Sequence, residues 1–316
     1  MSTVTRTKPY RPPAPLGGRR RELRVNDRRR LLTAMGFLGP ALAIIVAFVF
    51  IPAGTALWTS FTDASGFGTA EWVGLDNYVR ALTTPSVLRA LLNTVLYAAM
   101  YAPAVVIVGL CAALLLNRTD IPFRSFFRTA IFLPFVISMA VASLAWSFLL
   151  DPNLGLVPYW LSSVGVNMKD VFSDPVTALP AVTAVAVWKS FGYFMVIFLA
   201  GLQGVPKHLY EAARLDGAGP WRTFRAVTLP GLSGTMTFVV IFALIGAFQA
   251  FDQIYIMTQG GPDHATETIV YRIYTDGFRD FKLGFASALS YLLLTITLIL
   301  GLFQLRAGAK REKDFE

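Results

Sequence analysis

The sequence predicts an all-α polytopic membrane protein with six transmembrane helices, and three observations support this fold class. Apolar residues make up 55% of the 316 residues, whereas charged residues make up only 15%. A soluble domain usually has about a quarter charged residues, so this chain lacks the polar surface that would cover a water-soluble globule. Six long intervals are nearly free of charge, and basic residues alternate between the loops that separate them. Repeated crossing of a bilayer accounts for this combination.

Each of the six intervals is long enough to cross a bilayer as a helix. They are residues 31–62, 90–117, 129–150, 176–203, 226–251 and 283–305. At a rise of about 1.5 Å per residue, even the shortest interval covers roughly 30 Å of hydrocarbon. Lys189, in the fourth interval, is the one charged residue that they contain.

Lysine and arginine residues predict the orientation of the spans. The two termini and the second and fourth loops together hold 21 of them, whereas the first, third and fifth loops hold six. Because basic residues near the ends of spans stay on the cytoplasmic side, both termini are predicted to be cytoplasmic.

The chain is predicted to consist of a tail, a membrane domain and a second tail. Residues 1–30 hold ten basic residues, so we expect a disordered cytoplasmic tail that lies against anionic lipid headgroups. Residues 31–305 form the six-helix membrane domain, and residues 306–316 form a cytoplasmic C-terminal tail. An orientation anchor is favoured over a nucleic-acid-binding arm, because the basic residues directly precede the first span, and no nucleic-acid partner is expected.

The residue counts argue against several catalytic and metal-binding classes. The single cysteine, Cys111, excludes an internal disulfide framework, and two histidines are too few for a Cys/His metal cluster. The chain has no Gly-Lys pair and therefore lacks the Gly-x-x-x-x-Gly-Lys-Ser/Thr loop that cradles nucleotide phosphates. We expect no catalytic residue, metal or cofactor in this chain. An ion-coupled secondary transporter is the alternative hypothesis, although the spans lack the paired acidic residues that ion coupling needs.

The fourth loop has the pattern of two short helices around a glycine hinge. Residues 212–215 are good helix formers, Gly217 suits the left-handed residue that ends a helix, and Pro220 suits the first turn of the next one. Such a helix-turn-helix, with small residues and mixed charge, can lie flat on another protein. The loop is therefore predicted to be a docking element, and a simple interfacial connector is the alternative.

This loop resembles the signature of the permease subunits of binding-protein-dependent ABC importers. That signature runs Glu-Ala-Ala, three residues, Gly, nine residues, Ile-x-Leu-Pro, and every spacing agrees here, with Val227 in place of isoleucine. The resemblance implies an ABC type I importer permease fold in which residues 204–230 form the coupling loop to an ATPase. The residues that inherit this role are Glu211, Ala212, Ala213, Asp216, Gly217, Leu229 and Pro230.

Other segments resemble the carbohydrate branch of that family, among them residues 124–134, 198–203, 248–262 and 284–288. The resemblance implies a subunit of the bacterial inner membrane that imports a sugar or a related polyhydroxylated solute. It also implies the partners: a second, unlike permease subunit, two ATPase subunits that bind ATP and Mg, and an extracytoplasmic solute-binding protein.

Lys189 should face protein or a water-filled pathway, because a full charge near the middle of a span costs about 3 kcal/mol or more. Trp188, Ser190 and Tyr193 beside it combine aromatic faces and hydroxyl groups that suit a sugar ring. The same resemblance implies that Lys189, Ser190 and Tyr193 contact the substrate, so these four residues are expected to line the translocation pathway. The alternative for Lys189 is a structural contact with backbone carbonyl groups.

Gln249 and Asp252 are expected at the outer mouth of the pathway, as gate or helix cap. Along a continuous helix that starts at Gly231, Asp252 lies about 30 Å from the start and close to the outer edge. A direct salt bridge between Asp252 and Lys189 is therefore not expected unless the helix is broken.

Overall fold

The structure, a computed structural model, describes residues 23–66, 68–118 and 120–313. These residues form helices and loops, and the β-structure among them is one isolated bridge between Thr62 and Trp72. The all-α prediction is therefore confirmed. Residues 1–22 of the predicted N-terminal tail lie outside the described residues.

The chain separates into two compact units, and the first ends at Thr55. Its helix α1, Leu23–Ile45, continues through a π-helical turn, Val46–Phe50, into α2, Ile51–Thr59. The π turn ends two residues before Pro52, which lacks an N–H donor and would clash with a carbonyl four residues earlier. Residues 23–30, which the sequence analysis assigned to the tail, are helical, since nothing in that segment stops a helix.

The second unit begins at Ala56 and contains the other helices. In chain order they are α3 (Asp76–Thr83), α4 (Pro85–Asn117), α5 (Arg124–Val136), α6 (Met139–Leu149), α7 (Leu156–Ser163), α8 (Ala178–Gly204), α9 (Lys207–Leu215), α10 (Pro220–Thr223), α11 (Leu229–Gly231), α12 (Ser233–Phe248), α13 (Asp252–Met257), α14 (Ile269–Tyr274) and α15 (Leu283–Lys313). A π-helical turn, Phe224–Thr228, joins α10 to α11, and another, Thr275–Arg279, extends α14. Helix α15 runs through residues 306–313, which had been assigned to the C-terminal tail.

Four helical stretches are long and apolar enough to cross a membrane: Thr33–Thr59, Pro85–Asn117, Ala178–Gly204 and Leu283–Arg306. The other two predicted spans are bent pairs. Helices α5 and α6 meet at 97°, and the stretch Pro220–Gly231 meets α12 at 72°. The described residues therefore supply six candidate spans when each bent pair is one span.

The break between α5 and α6 has a local cause. Pro134 weakens the end of α5, and Ser138 begins α6 as its N-cap, where its hydroxyl accepts a hydrogen bond from the Val141 N–H at 3.3 Å. A serine that satisfies the first amides of a new helix makes the interruption stable, so this span consists of two short helices.

Helices α4 and α8 form the centre of the second unit, with α5 packed on α8 and α12 packed on α4. Val105, Val182 and Met195 are fully buried between these helices. Gly192 permits close backbone contact between α8 and α5, because a Cβ there would clash with the Ile131 carbonyl oxygen on α5. This contact places the broken span directly against α8.

Candidate functional site

Gly217 ends α9 through the turn that the sequence predicted. Its φ angle is +69°, its N–H bonds the Arg214 carbonyl at 3.0 Å, and the Ala218 N–H bonds the Ala213 carbonyl at 2.9 Å. These two bonds define a Schellman motif, in which a left-handed glycine satisfies the last carbonyls of a helix. Pro220 then occupies the first turn of α10, as predicted.

Most of this helix-turn-helix is exposed. The Leu215 and Trp221 side chains are 89% and 73% exposed on either side of the turn. Of the predicted coupling residues, Glu211, Ala212, Asp216, Gly217 and Leu229 are exposed, whereas Ala213 and Pro230 are half-buried. An exposed leucine and tryptophan beside a charged helix form a surface suited to a protein partner.

The loop is attached to the helical core at its C-terminal end. The Tyr210 hydroxyl donates to Thr228 Oγ1 at 3.3 Å and so joins α9 to the π turn before α11. Leu232, at the bend that follows, is fully buried, and Gly231 lies against Val205 at the end of α8. The loop is therefore in direct contact with the ends of α8 and α12.

A second candidate site is a cavity of about 310 Å³ where two broken helices meet α4 and α8. One break separates α5 from α6, and the other, at residues 249–251, separates α12 from α13. The residues that line the cavity are Tyr97, Tyr101, Met139, Ala186, Lys189, Ser190, Gly246, Gln249, Ala250, Phe251, Asp252 and Gln253. Its volume is at the lower end of the range of about 300–1,000 Å³ that small-molecule sites occupy.

The cavity brings together four of the six predicted pathway residues: Lys189, Ser190, Gln249 and Asp252. The other two are not among the described residues that line it. Trp188 packs edge-on against Trp146 with ring centroids 5.3 Å apart, and Tyr193 stacks on Phe135 at 4.5 Å. These two aromatic side chains stabilise helix packing beside the cavity.

The break at residues 249–251 corrects the expected position of Asp252. A continuous helix from Gly231 would place this residue about 30 Å from its start, far from Lys189. Helix α12 ends at Phe248, and the chain then turns so that Asp252 and Lys189 line one cavity and interact electrostatically. The ion pairs among the described residues do not include these two, so the break brings Asp252 to the cavity of Lys189 without a direct salt bridge.

Lys189 makes its closest polar contact with the end of α5. Its ammonium donates to the Phe135 carbonyl at 3.4 Å and lies 4.8 Å from the centre of the Phe135 ring. Carbonyls in the last turn of a helix have no partner within the helix, and a cation at that end is favoured by the helix dipole. Lys189 thus caps the half-helix that the break creates.

Sequence reasoning missed Tyr97, Tyr101 and Gln253. The two tyrosine rings stack with centroids 5.7 Å apart, and Gln253 Nε2 donates to the Tyr97 hydroxyl at 2.8 Å. The tyrosines are four residues apart, which places them on one helix face, and this spacing was the available signal. Gln253 gave no signal, because its contact with Tyr97 spans 156 positions.

The break after α12 is held by the loop that follows α13. The Thr268 hydroxyl donates to the Ala250 carbonyl at 3.0 Å, and the Ile269 N–H bonds Thr94 Oγ1 on α4 at 2.9 Å. Asn93, also on α4, donates from its side chain to the carbonyls of His264 and Glu267. The bond to Ala250 satisfies a carbonyl at the break, and the other bonds fix the loop against α4.

A charged network lies next to this loop. Arg272 Nε donates to Asp276 at 2.7 Å, and its Nη1 lies 3.4 Å from the buried Glu267 carboxylate. Burial of Arg272 opposes its charge, but Asp276 and Glu267 outweigh this effect and raise the pKa of the guanidinium. Among the described residues, no group of three or more His, Cys, Asp or Glu side chains is placed to hold a metal ion.

Comparison with known proteins identifies a family that has this helical architecture and exposed loop. Residues 82–310 match the model of the family described as "Binding-protein-dependent transport system inner membrane component". The chain belongs to this family and is a multi-pass inner-membrane permease subunit of an ABC importer, whereas ATP hydrolysis is the work of separate subunits. Family membership decides against the ion-coupled secondary transporter.

Curated relatives cover most of the chain. It is 36% identical to the diacetylchitobiose uptake system permease protein NgcF of Streptomyces coelicolor, over 91% of this chain and 85% of the relative. It is 37% identical to the sn-glycerol-3-phosphate transport system permease protein UgpA of Agrobacterium fabrum, over 87% of this chain and 94% of the relative.

A solved structure has the same fold. The bacterial alginate ABC transporter, in complex with its alginate pentasaccharide-bound periplasmic protein, contains a chain that matches with a TM-score of 0.81 at 22% identity. The match covers 93% of this chain and 99% of that chain. The predicted type I importer permease fold is therefore confirmed.

Proposed function

We propose that this chain is one of two unlike permease subunits of an ATP-driven importer for a sugar or a related polyhydroxylated solute. A solute-binding protein delivers the solute from outside, and two ATPase subunits supply the energy. The named relatives support this substrate class, because their names refer to a disaccharide of amino sugars and a polyol phosphate, and the solved neighbour carries a polysaccharide.

The observation that carries this proposal is the coupling loop, residues 204–230. It combines the complete spacing of the signature with a Schellman turn at Gly217 and exposed Leu215 and Trp221 side chains. In the proposed assembly, Glu211 and its neighbours on α9 dock on an ATPase subunit. Movement of that subunit displaces the loop, and the buried contacts at Leu232 and Gly231 transmit the displacement to α12 and α8.

The cavity at the two helix breaks lies on the proposed pathway. When the inner ends of these helices are displaced, the packing around the breaks changes. The protein then shifts between two packed arrangements, and the cavity opens to one side of the membrane in each of them. The loops at residues 63–89, 151–175 and 252–282 face outward and meet the binding protein, and both termini are cytoplasmic. The alternation of basic residues among the loops supports this orientation.

Site-directed crosslinking of the assembled importer tests the docking role. Cys111, which is exposed, is first replaced by alanine, and Leu215→Cys then supplies the reactive thiol. We expect crosslinking from position 215 to the ATPase subunit. Leu154→Cys is the matched control, because Leu154 is equally exposed, at 86% compared with 89%, and lies in a proposed outer loop.

The proposal is wrong if position 154 rather than position 215 crosslinks to the ATPase. It also fails if proteoliposomes import solute when the ATPase subunit is inactivated. Uptake that persists with an uncoupler at constant ATP concentration separates the importer from an ion-coupled mechanism.

A further inference from the structure

The short helix α3, Asp76–Thr83, lies against the end of the first candidate span. It belongs to the loop that joins the first two spans. The Asn77 side chain is buried and donates to the carbonyls of Ser60 and Thr62, directly after the first span, at 3.0 and 2.8 Å. These two bonds hold α3 where the chain leaves that span.

The same helix also contacts the beginning of the last span. Ala81 is fully buried in a cluster with Phe285 and Leu289 of α15. The Arg80 guanidinium lies 5.2 Å from the centre of the Phe285 ring, which is two residues from the start of the span at Leu283. Because α3 packs on the ends of two spans, it lies at the level of the boundary between lipid and water.

The remaining surface of α3 is divided into an apolar and a polar part. At about 100° per residue, an apolar sector of about 60° contains three side chains that are each more than half exposed, Leu75, Val79 and Leu82. The adjacent polar sector is exposed as well and contains Asp76, Arg80 and Thr83. A helix with one side on protein, one apolar side and one polar side is suited to the surface of a bilayer.

Two tryptophan side chains in this region have the same preference. The Trp58 and Trp72 rings are 4.9 Å apart, and both are more than half exposed. Tryptophan is enriched at the two surfaces of a membrane, where its ring lies among the headgroups. A protein partner is a weaker explanation for the apolar sector, because a stable protein interface takes about 20–30 residues on each side.

We infer that α3 is an interfacial helix that binds the surface of the lipid bilayer, with its apolar sector among the acyl chains and its polar sector in water. In the proposed orientation this is the outer surface. Through Asn77 and Ala81, the helix then holds the end of the first span and the beginning of α15 at a fixed depth. The inference depends on the membrane location of the chain and not on the solute that it imports.

Quenching of a bimane probe on the assembled importer in phospholipid nanodiscs tests this inference. Cys111 is first replaced by alanine, and Leu82→Cys in the apolar sector or Thr83→Cys in the polar sector then carries the probe. The complex with Cys111→Ala alone supplies the background. Bromine atoms on the acyl chains quench a probe in lipid, whereas iodide quenches a probe in water. We expect brominated lipid to quench position 82 at least about twofold more than position 83, and iodide to give the opposite order.

Equal quenching of the two positions by brominated lipid would overturn the inference. Protection of position 82 from both quenchers would overturn it too, since another subunit would then cover the apolar sector. Leu82→Lys and Thr83→Lys provide a second measurement without a probe. We expect Leu82→Lys to lower the unfolding temperature in nanodiscs more than Thr83→Lys does, because a charge must leave the acyl chains, and equal effects would contradict the inference. ATP-dependent uptake by the unmodified complex tests the proposed function separately.

Discussion

At the residue scale, the turn at Gly217 rests on backbone geometry alone. Its φ angle of +69° is unfavourable for any residue with a Cβ, yet a Cβ at this position would have no atom within 4 Å. A substitution there therefore tests the conformation of the turn without introducing a clash. Gly219, two residues later, has equally open surroundings but a φ angle of −68°, which any residue adopts.

We predict that Gly217→Ala reduces the amount of solute imported per ATP hydrolysed. The left-handed conformation costs alanine roughly 1–2 kcal/mol, so the coupling loop spends less time in its docking geometry. Proteoliposomes that contain the whole importer allow uptake and ATP hydrolysis to be measured together. Gly219→Ala should leave the ratio unchanged, and equal effects of the two substitutions would contradict a role for the turn.

At the scale of elements, the two interrupted spans define the cavity. Each break exposes backbone groups, and each is stabilised by a side chain from elsewhere in the chain. Lys189 on α8 binds the carbonyl at the end of α5, and Thr268 in the outer loop binds the carbonyl of Ala250 after α12. In a medium without water these backbone groups would otherwise lack hydrogen-bond partners, which is why most spans are continuous helices.

We predict that Thr268→Val destabilises the break after α12. Thr268 is fully buried; its hydroxyl donates to the Ala250 carbonyl and accepts from the Tyr271 N–H at the start of α14. The isosteric change removes both bonds, and an unpaired buried group costs about 1–3 kcal/mol. The expected result is a lower unfolding temperature of the purified complex. Thr268→Ser retains the hydroxyl and should remain close to the wild type; a serine variant as unstable as the valine variant would point to packing instead.

At the scale of the whole molecule, the distribution of basic residues sets the orientation. Of the 28 lysines and arginines, 21 lie in the segments proposed to be cytoplasmic. The remaining loops carry apolar and aromatic surface, such as Tyr159 and Trp160 on α7, which are 69% and 64% exposed. Amphipathic aromatic side chains of this kind favour the headgroup region at the membrane surface.

We predict that the C-terminus is cytoplasmic, because the basic residues that follow the last span resist translocation. A green fluorescent protein fused at the C-terminus should fluoresce, whereas alkaline phosphatase fused there should be inactive. Alkaline phosphatase inserted after Leu154 is the positive control, because residues 151–175 form a proposed outer loop. An active C-terminal phosphatase fusion would reverse the proposed topology.

Local chemistry explains why the coupling loop could be predicted in detail. The helix end at Gly217 depends on one residue without a Cβ, and the next helix begins at Pro220, so both features are encoded within a few positions. The spans were predictable as apolar intervals for a similar reason, since hydropathy is a property of consecutive residues. The interruption after α12 was not, because Ala250 and Phe251 are as apolar as the helix they interrupt. Pro134 and Ser138, in contrast, are local signals for the break between α5 and α6.

The sequence by itself determined the class of membrane protein, its six apolar intervals, the expected orientation and the turn of the coupling loop, because each depends on residues close together in the chain. Only the tertiary structure decided that a span breaks after α12 and which side chains meet at the cavity. The contacts of Lys189 with Phe135, Gln253 with Tyr97 and Thr268 with Ala250 join separate elements. Such contacts form when helices pack, and a local pattern of residues does not contain them.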